Sequence, residues 1–295
     1  MASFFDEINR NRIKSILLMA IFGGFFAAII YLIIIILGGG PLAFGVGIAV
    51  IALYAIFSYE MGSKIVLKLS GAKKADPKQY PSLYNIVEGL AVANQLKVPE
   101  IYIVNDPNPN AFATGKNRNN ASIAVTTGLL SMMSKEELEG VLAHELSHIY
   151  NNDIQFMLIA VVFAGVIGLV AAFFRGFLFF GNDREGNGIF LLIALAIGIL
   201  APIFAMILRL AISRRREYMA DANGARITRA PMHLSSALKK IQEYGKNPNA
   251  TPVRNANGIN ASLYFANPLS AKSIINLFST HPPIEERIKR LDKMY

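Results

Sequence analysis

The sequence predicts a mainly α integral membrane protein, in which four transmembrane helices carry a cytoplasmic α+β domain with a small sheet. Two observations predict this class. Hydrophobic residues make up 53% of the 295 residues and charged residues only 17%, whereas soluble domains average about 25% charged residues. Four long runs also lack any charged residue, at 15–37, 42–59, 156–174 and 189–208. Each run is close to the ~20 residues that a helix needs to cross a bilayer.

Lys and Arg flank these runs unevenly, and this predicts their orientation. Arg10, Arg12 and Lys14 precede the first run, and further basic residues follow the second and fourth runs. Because cytoplasmic flanks carry the Lys and Arg excess, we expect both termini and the segment 60–155 to be cytoplasmic. The net charge of +9 then reflects topology, and we expect the lipid bilayer, not nucleic acid, as a partner.

The runs also divide the chain into four parts. We expect two N-terminal transmembrane helices in 1–60, a first cytoplasmic part in 61–155, a transmembrane hairpin in 156–208 and a second cytoplasmic part in 209–295. Four such runs in one chain argue against buried core helices of a soluble protein. The first run is too long for the core of a signal peptide, so we interpret it as a retained anchor. The absence of cysteine excludes disulfides and thiolate ligands.

The cytoplasmic parts contain short segments with helical or strand periodicity. Apolar residues near period 3.6 predict a helix over 81–95. Three short apolar segments separated by turn residues predict strands at 100–104, 111–114 and 121–127. Ser134 and Glu137 form a capping-box pattern, so we expect a helix to begin there and to continue into the third span. Two further helices are predicted at 231–244 and 284–294.

The segment His144-Glu145-Leu146-Ser147-His148 lies within the helix that Ser134 begins. Residues four apart share one face of a helix, so both imidazoles can bind one zinc ion. Glu145 lies near both and suits a general base. The chain has only four His, so this spacing rarely arises by chance. The alternative, two polar residues on a solvated helix face, explains the pattern less well.

A catalytic zinc site requires a third protein ligand and an open position. His148 lies roughly 12 Å from the predicted third span, and Glu217 lies roughly 13 Å from the fourth, at 1.5 Å per helical residue. Antiparallel spans return Glu217 to the level of His148, which makes Glu217 the predicted third ligand. Its alternative role is charge pairing with the arginines at 214–216. Asp221 suits a hydrogen bond to a zinc-binding histidine, whereas Asp153 is disfavoured, because a continuous helix places it far around from His148.

His281 precedes the last predicted helix, in Thr280-His281-Pro282-Pro283. An imidazole near zinc can donate a hydrogen bond to the oxyanion of a tetrahedral intermediate. A residue that only shapes the turn before a helix is the simpler interpretation of the sequence. Both interpretations stay open at this point.

This combination of motifs resembles the HtpX-type membrane zinc metalloproteases, relatives of the CAAX prenyl protease. The resemblance covers nearly the whole chain and rests on the four spans, on His144-Glu145-x-x-His148 and on two later motifs, Ser213-Arg214-x-x-Glu217-x-x-Ala220-Asp221 and Thr280-His281-Pro282-Pro283. The segment Asn110-Ala111-Phe112-Ala113-Thr114-Gly115 also resembles the strand beside the family's active site.

The resemblance implies one zinc ion bound by His144, His148 and Glu217, with Glu145 as the catalytic base. It further implies that Asp221 orients a histidine and that His281 assists the oxyanion. Asn110, Ala111, Phe112 and Ala113 would bind an extended substrate by strand addition. The implied function is a zinc endopeptidase of a bacterial plasma membrane, cleaving misfolded or damaged membrane proteins and unfolded polypeptides in stress-linked quality control. Prenyl-peptide processing is disfavoured, because this chain is too short for a large enclosed chamber.

Two alternatives belong to other classes of protein. A non-catalytic scaffold or chaperone-like protein would use zinc structurally, but the sequence offers no fourth protein ligand in place of water. A transporter would place ionisable residues inside its spans, and the four runs contain none.

Overall fold

A computed structural model describes residues 40–155, 158, 214–246 and 282–294, with isolated positions 24, 27 and 31. The chain divides into two compact units, Met1–Gly62 with Ile159–Leu210, and Ser63–Leu158 with Ala211–Tyr295. The predicted spans 15–37, 156–174 and 189–208 lie almost entirely outside the described residues. Those spans and the predicted domain bounds therefore stay predictions.

The first described helix, α1, is Pro41–Leu69 and extends well past the predicted span 42–59. Large apolar side chains such as Leu42, Leu53 and Phe57 are exposed along it. Within the described residues, only its segment Phe44–Leu69 is long and apolar enough to cross a membrane, on length and composition alone. An exposed apolar surface of this kind is typical of a helix that contacts lipid or another chain.

Four strands form one small mixed sheet in the second unit. The strands are β1 (Ala72–Lys74), β2 (Glu100–Val104), β3 (Ala111–Asn117) and β4 (Asn120–Thr126). Their order is β1-β2-β4-β3, with β2 and β4 parallel and the outer pairs antiparallel. The short strand β1 was not predicted, because three residues with two lysines carry no alternating apolar pattern. Strand β3 lies at one edge of the sheet.

Within the described residues, six helices accompany the sheet: α2 (Pro81–Ala93), α3 (Thr127–Met132), α4 (Lys135–Tyr150), α5 (Arg214–Thr228), α6 (Pro231–Lys246) and α7 (Ile284–Leu291). The predicted capping box is present, since Ser134 accepts from the Glu137 amide and the Glu137 carboxylate accepts from the Ser134 amide. The prediction that α4 continues into the third span is wrong. Asn152 adopts a left-handed φ of 58°, so the helix ends at Tyr150.

Helix α4 lies at the centre of the second unit, and its side chains from Val141 to Ile149 are buried. Two glycines allow its neighbours to approach closely. A Cβ on Gly140 would lie 2.7 Å from the Leu234 amide nitrogen of α6. A Cβ on Gly224 of α5 would lie 3.1 Å from the His144 amide nitrogen. The fold therefore holds α5 directly against the histidine-bearing turn of α4.

Candidate metal centre

Helices α4 and α5 bring three predicted ligands together. The Nε2 atoms of His144 and His148 are 3.1 Å apart. Glu217 Oε2 lies 3.7 Å from His144 Nε2, and Glu217 Oε1 lies 3.6 Å from His148 Nε2. All three residues are buried. One donor atom from each lies within 4.8 Å of the others, so the group could hold a metal ion.

Each imidazole is fixed by a carboxylate on its far nitrogen. His144 Nδ1 lies 2.9 Å from Asp221 Oδ1, and His148 Nδ1 lies 3.1 Å from Asp153 Oδ2. When each Nδ1 carries the proton, it donates a hydrogen bond to its carboxylate, and each Nε2 keeps a lone pair. Histidines that bind metals are commonly oriented in this way.

The distances in this group fit a metal ion. Two unprotonated Nε2 atoms that face each other at 3.1 Å repel, and either a proton or a metal ion between them relieves the repulsion. Ligands at ~2.0–2.1 Å from a tetrahedral zinc are about 3.3 Å apart. The three edges of the group, 3.1, 3.6 and 3.7 Å, are close to that value. Two nitrogen donors and one carboxylate are also ligands that zinc accepts.

Asp153 was disfavoured in the sequence analysis as a third ligand, on the assumption of a continuous helix. The structure places it instead beyond the end of α4, where the left-handed turn at Asn152 returns the chain toward His148. Its carboxylate is fully buried and contacts His148 Nδ1. The helix end therefore gives Asp153 a position that helical geometry alone would forbid.

Two buried arginines hold the outer carboxylates. Arg287 of α7, only 1% exposed, donates from Nε and Nη2 to the two oxygens of Asp221, at 2.9 and 2.6 Å. Its Nη1 lies 3.9 Å from Glu217 Oε2. Arg216 Nε lies 3.6 Å from Asp153 Oδ1. Sequence reasoning assigned no role to Arg287 and considered the arginines at 214–216 as charge partners of Glu217.

The charges of this cluster also fit a divalent cation. Within the described residues, four buried carboxylates (Asp153, Glu145, Glu217 and Asp221) accompany two buried guanidinium groups (Arg216 and Arg287). Two negative charges remain when both histidines are neutral and all four carboxylates are ionised, and one divalent cation balances them. Buried charges that remain uncompensated are costly, so the composition of the cluster favours a bound dication.

The two histidines respond differently to the cluster. Burial, together with the charges of Arg287 and His148, lowers the pKa of His144 to about 4 despite its hydrogen bond to Asp221. Burial opposes the charged form of His148 as well, but the hydrogen bond that its Nδ1–H donates to Asp153 and the charge of Glu217 raise its pKa to about 9. The surrounding charges therefore favour the protonated form of His148 and disfavour that of His144.

Glu145 lies between the two histidines on α4 and is 2% exposed. Its carboxylate accepts a hydrogen bond from the Ala113 amide of β3. Burial raises the pKa of Glu145 to about 7, with a further contribution from the charge of Glu217, while His148 and Arg287 oppose the shift. A carboxylate with a pKa near neutrality is suited to accept and return a proton.

Strand β3 lies beside Glu145 with one backbone edge outside the sheet. The Asn110 carbonyl accepts from the Thr126 amide at 3.0 Å, so Asn110 and Phe112 face β4. The backbones of Ala111 and Ala113 consequently face away from β4. Asn110, Ala111, Phe112 and Ala113 are all buried, and their predicted role in substrate binding stays a prediction. His281 lies outside the described residues.

A buried His-Glu-x-x-His helix with a glutamate from a second helix defines the class of metallopeptidases. The family model for Peptidase family M48 matches residues 77–295. The chain therefore belongs to peptidase family M48, and it is a metalloprotease.

Similar proteins agree with this assignment. A "Protease HtpX homolog" of Dictyoglomus turgidum is 44% identical over 255 residues, which cover 84% of this chain and 82% of that protein. A protein of the same name from Tropheryma whipplei is 40% identical over 297 residues, 98% of each chain. The crystal structure of S. mikatae Ste24p shares the fold, with a TM-score of 0.54 at 20% identity, over 98% of this chain and 67% of that one.

Proposed function

We propose that this chain is a membrane-embedded, zinc-dependent endopeptidase that cleaves misfolded or damaged membrane proteins at the cytoplasmic face. The observation that carries the proposal is the buried group of His144, His148 and Glu217 with Glu145 beside it. The resemblance to HtpX-type proteases and the names of the similar proteins support the class of reaction. The exposed apolar surface of α1 supports attachment to a membrane.

A zinc ion held by the three ligands would polarise the scissile carbonyl and lower the pKa of water toward ~7. Glu145 takes a proton from the attacking water and returns it to the amide nitrogen of the leaving chain. Water thereby adds to the carbonyl carbon, the C–N bond breaks, and a carboxylate and an amine leave. The pKa of about 7 at Glu145 matches both halves of this proton transfer.

Asp221 and Asp153 keep the two imidazoles in one tautomer and one orientation. Arg287 in turn holds Asp221 ionised in a buried environment: despite the opposing effect of burial, the charge of Arg287 keeps the pKa of Asp221 well below its ordinary value. Arg216 Nε lies 3.6 Å from Asp153 Oδ1. We infer that this double support fixes the ligands before metal binds. Such supporting residues commonly change metal affinity or activity by about 10–100-fold.

The outer edge of β3 would hold substrate in an extended conformation. The carbonyls of Ala111 and Ala113 face that edge, and a substrate strand would donate its amides to them. The Ala113 amide already donates to Glu145, so strand and base are linked by one residue. His281, by resemblance, would stabilise the oxyanion. Both roles rest on the family resemblance and on the position of β3.

The proposal is tested with full-length protein purified in detergent under chelator and then supplied with zinc. Fragments of the chain itself and of an unfolded membrane protein are followed by mass spectrometry. We expect zinc-dependent cleavage by the wild type and by Glu139→Ala, a matched control on the same helix. Glu145→Ala should bind zinc with unchanged stoichiometry and cleave at least ~100-fold more slowly. Cleavage by Glu145→Ala at the wild-type rate would refute the assignment of the base.

A further inference from the structure

The loop 105–110 leads the chain from β2 into the edge strand β3, and buried polar contacts hold it. Asn108 is buried and lies between two prolines, which restrict its backbone. Its amide nitrogen and its Nδ2 both donate to Asp106 Oδ1, at 2.9 and 2.7 Å. The Asp106 carbonyl accepts in turn from the Gly128 amide in the first turn of α3. The loop is therefore anchored to the helix that follows β4.

One hydrogen bond joins this loop to helix α6. Tyr244, half-buried near the end of α6, donates from its hydroxyl to Asn108 Oδ1 at 2.8 Å. The direction of this bond follows from the partners. The Asp106 carboxylate accepts hydrogen bonds, so Asn108 must present its Nδ2 to Asp106 and its Oδ1 to Tyr244. A phenylalanine at position 244 would leave that buried oxygen without this donor.

Tyr244 is the last of three polar residues on one face of α6. Ser236, Lys240 and Tyr244 lie four residues apart, so their side chains share that face. Ser236 Oγ donates to Glu137 Oε1 at 2.7 Å, and Lys240 Nζ donates to Glu137 Oε2 at 2.6 Å. Glu137 lies in the first turn of α4. This face of α6 therefore ties the start of α4 to the loop that enters β3.

The link joins the two elements on which the proposed cleavage depends. Helix α4 carries Glu145, and the Ala113 amide of β3 donates to that carboxylate. Asn108 lies three residues before Ala111, where β3 begins. The three candidate metal ligands lie on α4 and α5. A displaced loop would therefore move the start of β3 and leave the metal ligands in place.

We propose that Tyr244 is a positioning residue for substrate binding, whose hydrogen bond to Asn108 holds the start of β3 in place relative to Glu145. This role rests on the proposed function, in which the outer edge of β3 holds an extended substrate. Without the bond, a fraction of the molecules carries a displaced loop, and the apparent affinity for substrate falls in proportion to the remaining competent fraction. One net hydrogen bond corresponds to about threefold to tenfold in such an equilibrium.

Steady-state kinetics of the zinc-loaded full-length protein in detergent test this role, with an extended fluorogenic peptide as substrate. Tyr244→Phe removes one oxygen atom and should raise KM about threefold to tenfold, with kcat within about twofold and zinc content unchanged. Asn108→Ala should raise KM similarly, and the double variant should raise it little further, because both changes remove the same bond. Tyr102→Phe is the matched control and should keep the wild-type KM. It removes a hydroxyl that donates to Glu100 at 3.0 Å on β2, a strand that does not pair with β3.

Hydrogen exchange followed by mass spectrometry reports on the same link without activity. Amides of residues 106–113 should exchange faster in Tyr244→Phe than in the wild type or Tyr102→Phe, while those of α4 keep their protection. Unchanged exchange in this segment, or an unchanged KM in folded Tyr244→Phe, would overturn the proposal. So would a fall in kcat or zinc content at constant KM, which would assign Tyr244 to support of the metal centre. If the wild type cleaves nothing, the proposed function fails, and exchange alone decides whether Tyr244 holds the strand.

Discussion

Replacement of Arg287 by Met removes the cation that holds the outer carboxylate of the metal centre. Arg287 is buried and donates to both oxygens of Asp221, at 2.9 and 2.6 Å. The variant leaves Asp221 buried beside Glu217 with no guanidinium between them. Removal of one partner of a buried ion pair costs ~3–5 kcal/mol, a large part of a typical stability of ~5–15 kcal/mol. For a unit of this size, that loss lowers the melting temperature by roughly 6–20 °C.

Thermal unfolding of the full-length protein in detergent, with and without zinc, measures this effect. The double variant Arg287→Met with Asp221→Asn should lose less than the sum of the two single variants, because each removes the same interaction. Arg290→Met is the control, since Arg290 lies on the same helix in an exposed pair with Glu286. A fall of under about 2 °C in Arg287→Met, or strictly additive losses, would show that the buried pair does not stabilise the site.

Three further predictions follow from the surroundings of the site. Asp153→Ala should lower zinc affinity by about 10–100-fold in chelator competition; wild-type affinity would show that this contact is incidental. Gly224→Val should lower both zinc content and melting temperature, because a Cβ there lies 3.1 Å from a backbone nitrogen of α4, whereas Gly89→Ala, with open space around it, should not. Burial opposes ionisation of Glu137, but its hydrogen bond from Lys240 holds its pKa below the ordinary 4.5. Its stabilisation is therefore present above pH ~4.5 and lost as pH falls through the lowered pKa, so the melting temperature of Glu137→Gln should fall less than that of the wild type between pH 6 and 3.

The group of candidate metal ligands could be predicted, because the spacing of its residues along the chain indicates their chemistry. The four-residue interval between His144 and His148 places two donors on one helix face wherever that helix lies. Glu217 was inferred from antiparallel spans that stay predictions, with α4 assumed to continue into the third span; the structure ends α4 at Tyr150 and still brings Glu217 to this group. The strand at 100–104 was equally accessible, because an apolar run between turn residues specifies it locally.

The supporting residues could not be predicted in the same way. The position of Asp153 depends on one left-handed residue, Asn152, which follows the end of α4. A prediction that extends the helix past Tyr150 misses this turn. Arg287 lies far along the chain from Asp221, so only tertiary packing brings them together. One feature of the sequence could have indicated that Arg287 is buried. It lies on the apolar face of an amphipathic helix, among Ile284, Ile288 and Leu291.

The most direct test of a catalytic metal centre is X-ray absorption spectroscopy at the zinc edge of the loaded full-length protein. Two imidazole nitrogens, one carboxylate and one exchangeable water should surround the ion, because His144, His148 and Glu217 leave one position open. The spectrum of Glu217→Ala should lose an oxygen ligand or the metal itself. A closed site of four protein ligands, or a spectrum without two imidazoles, would contradict this account and favour a zinc ion with a structural role.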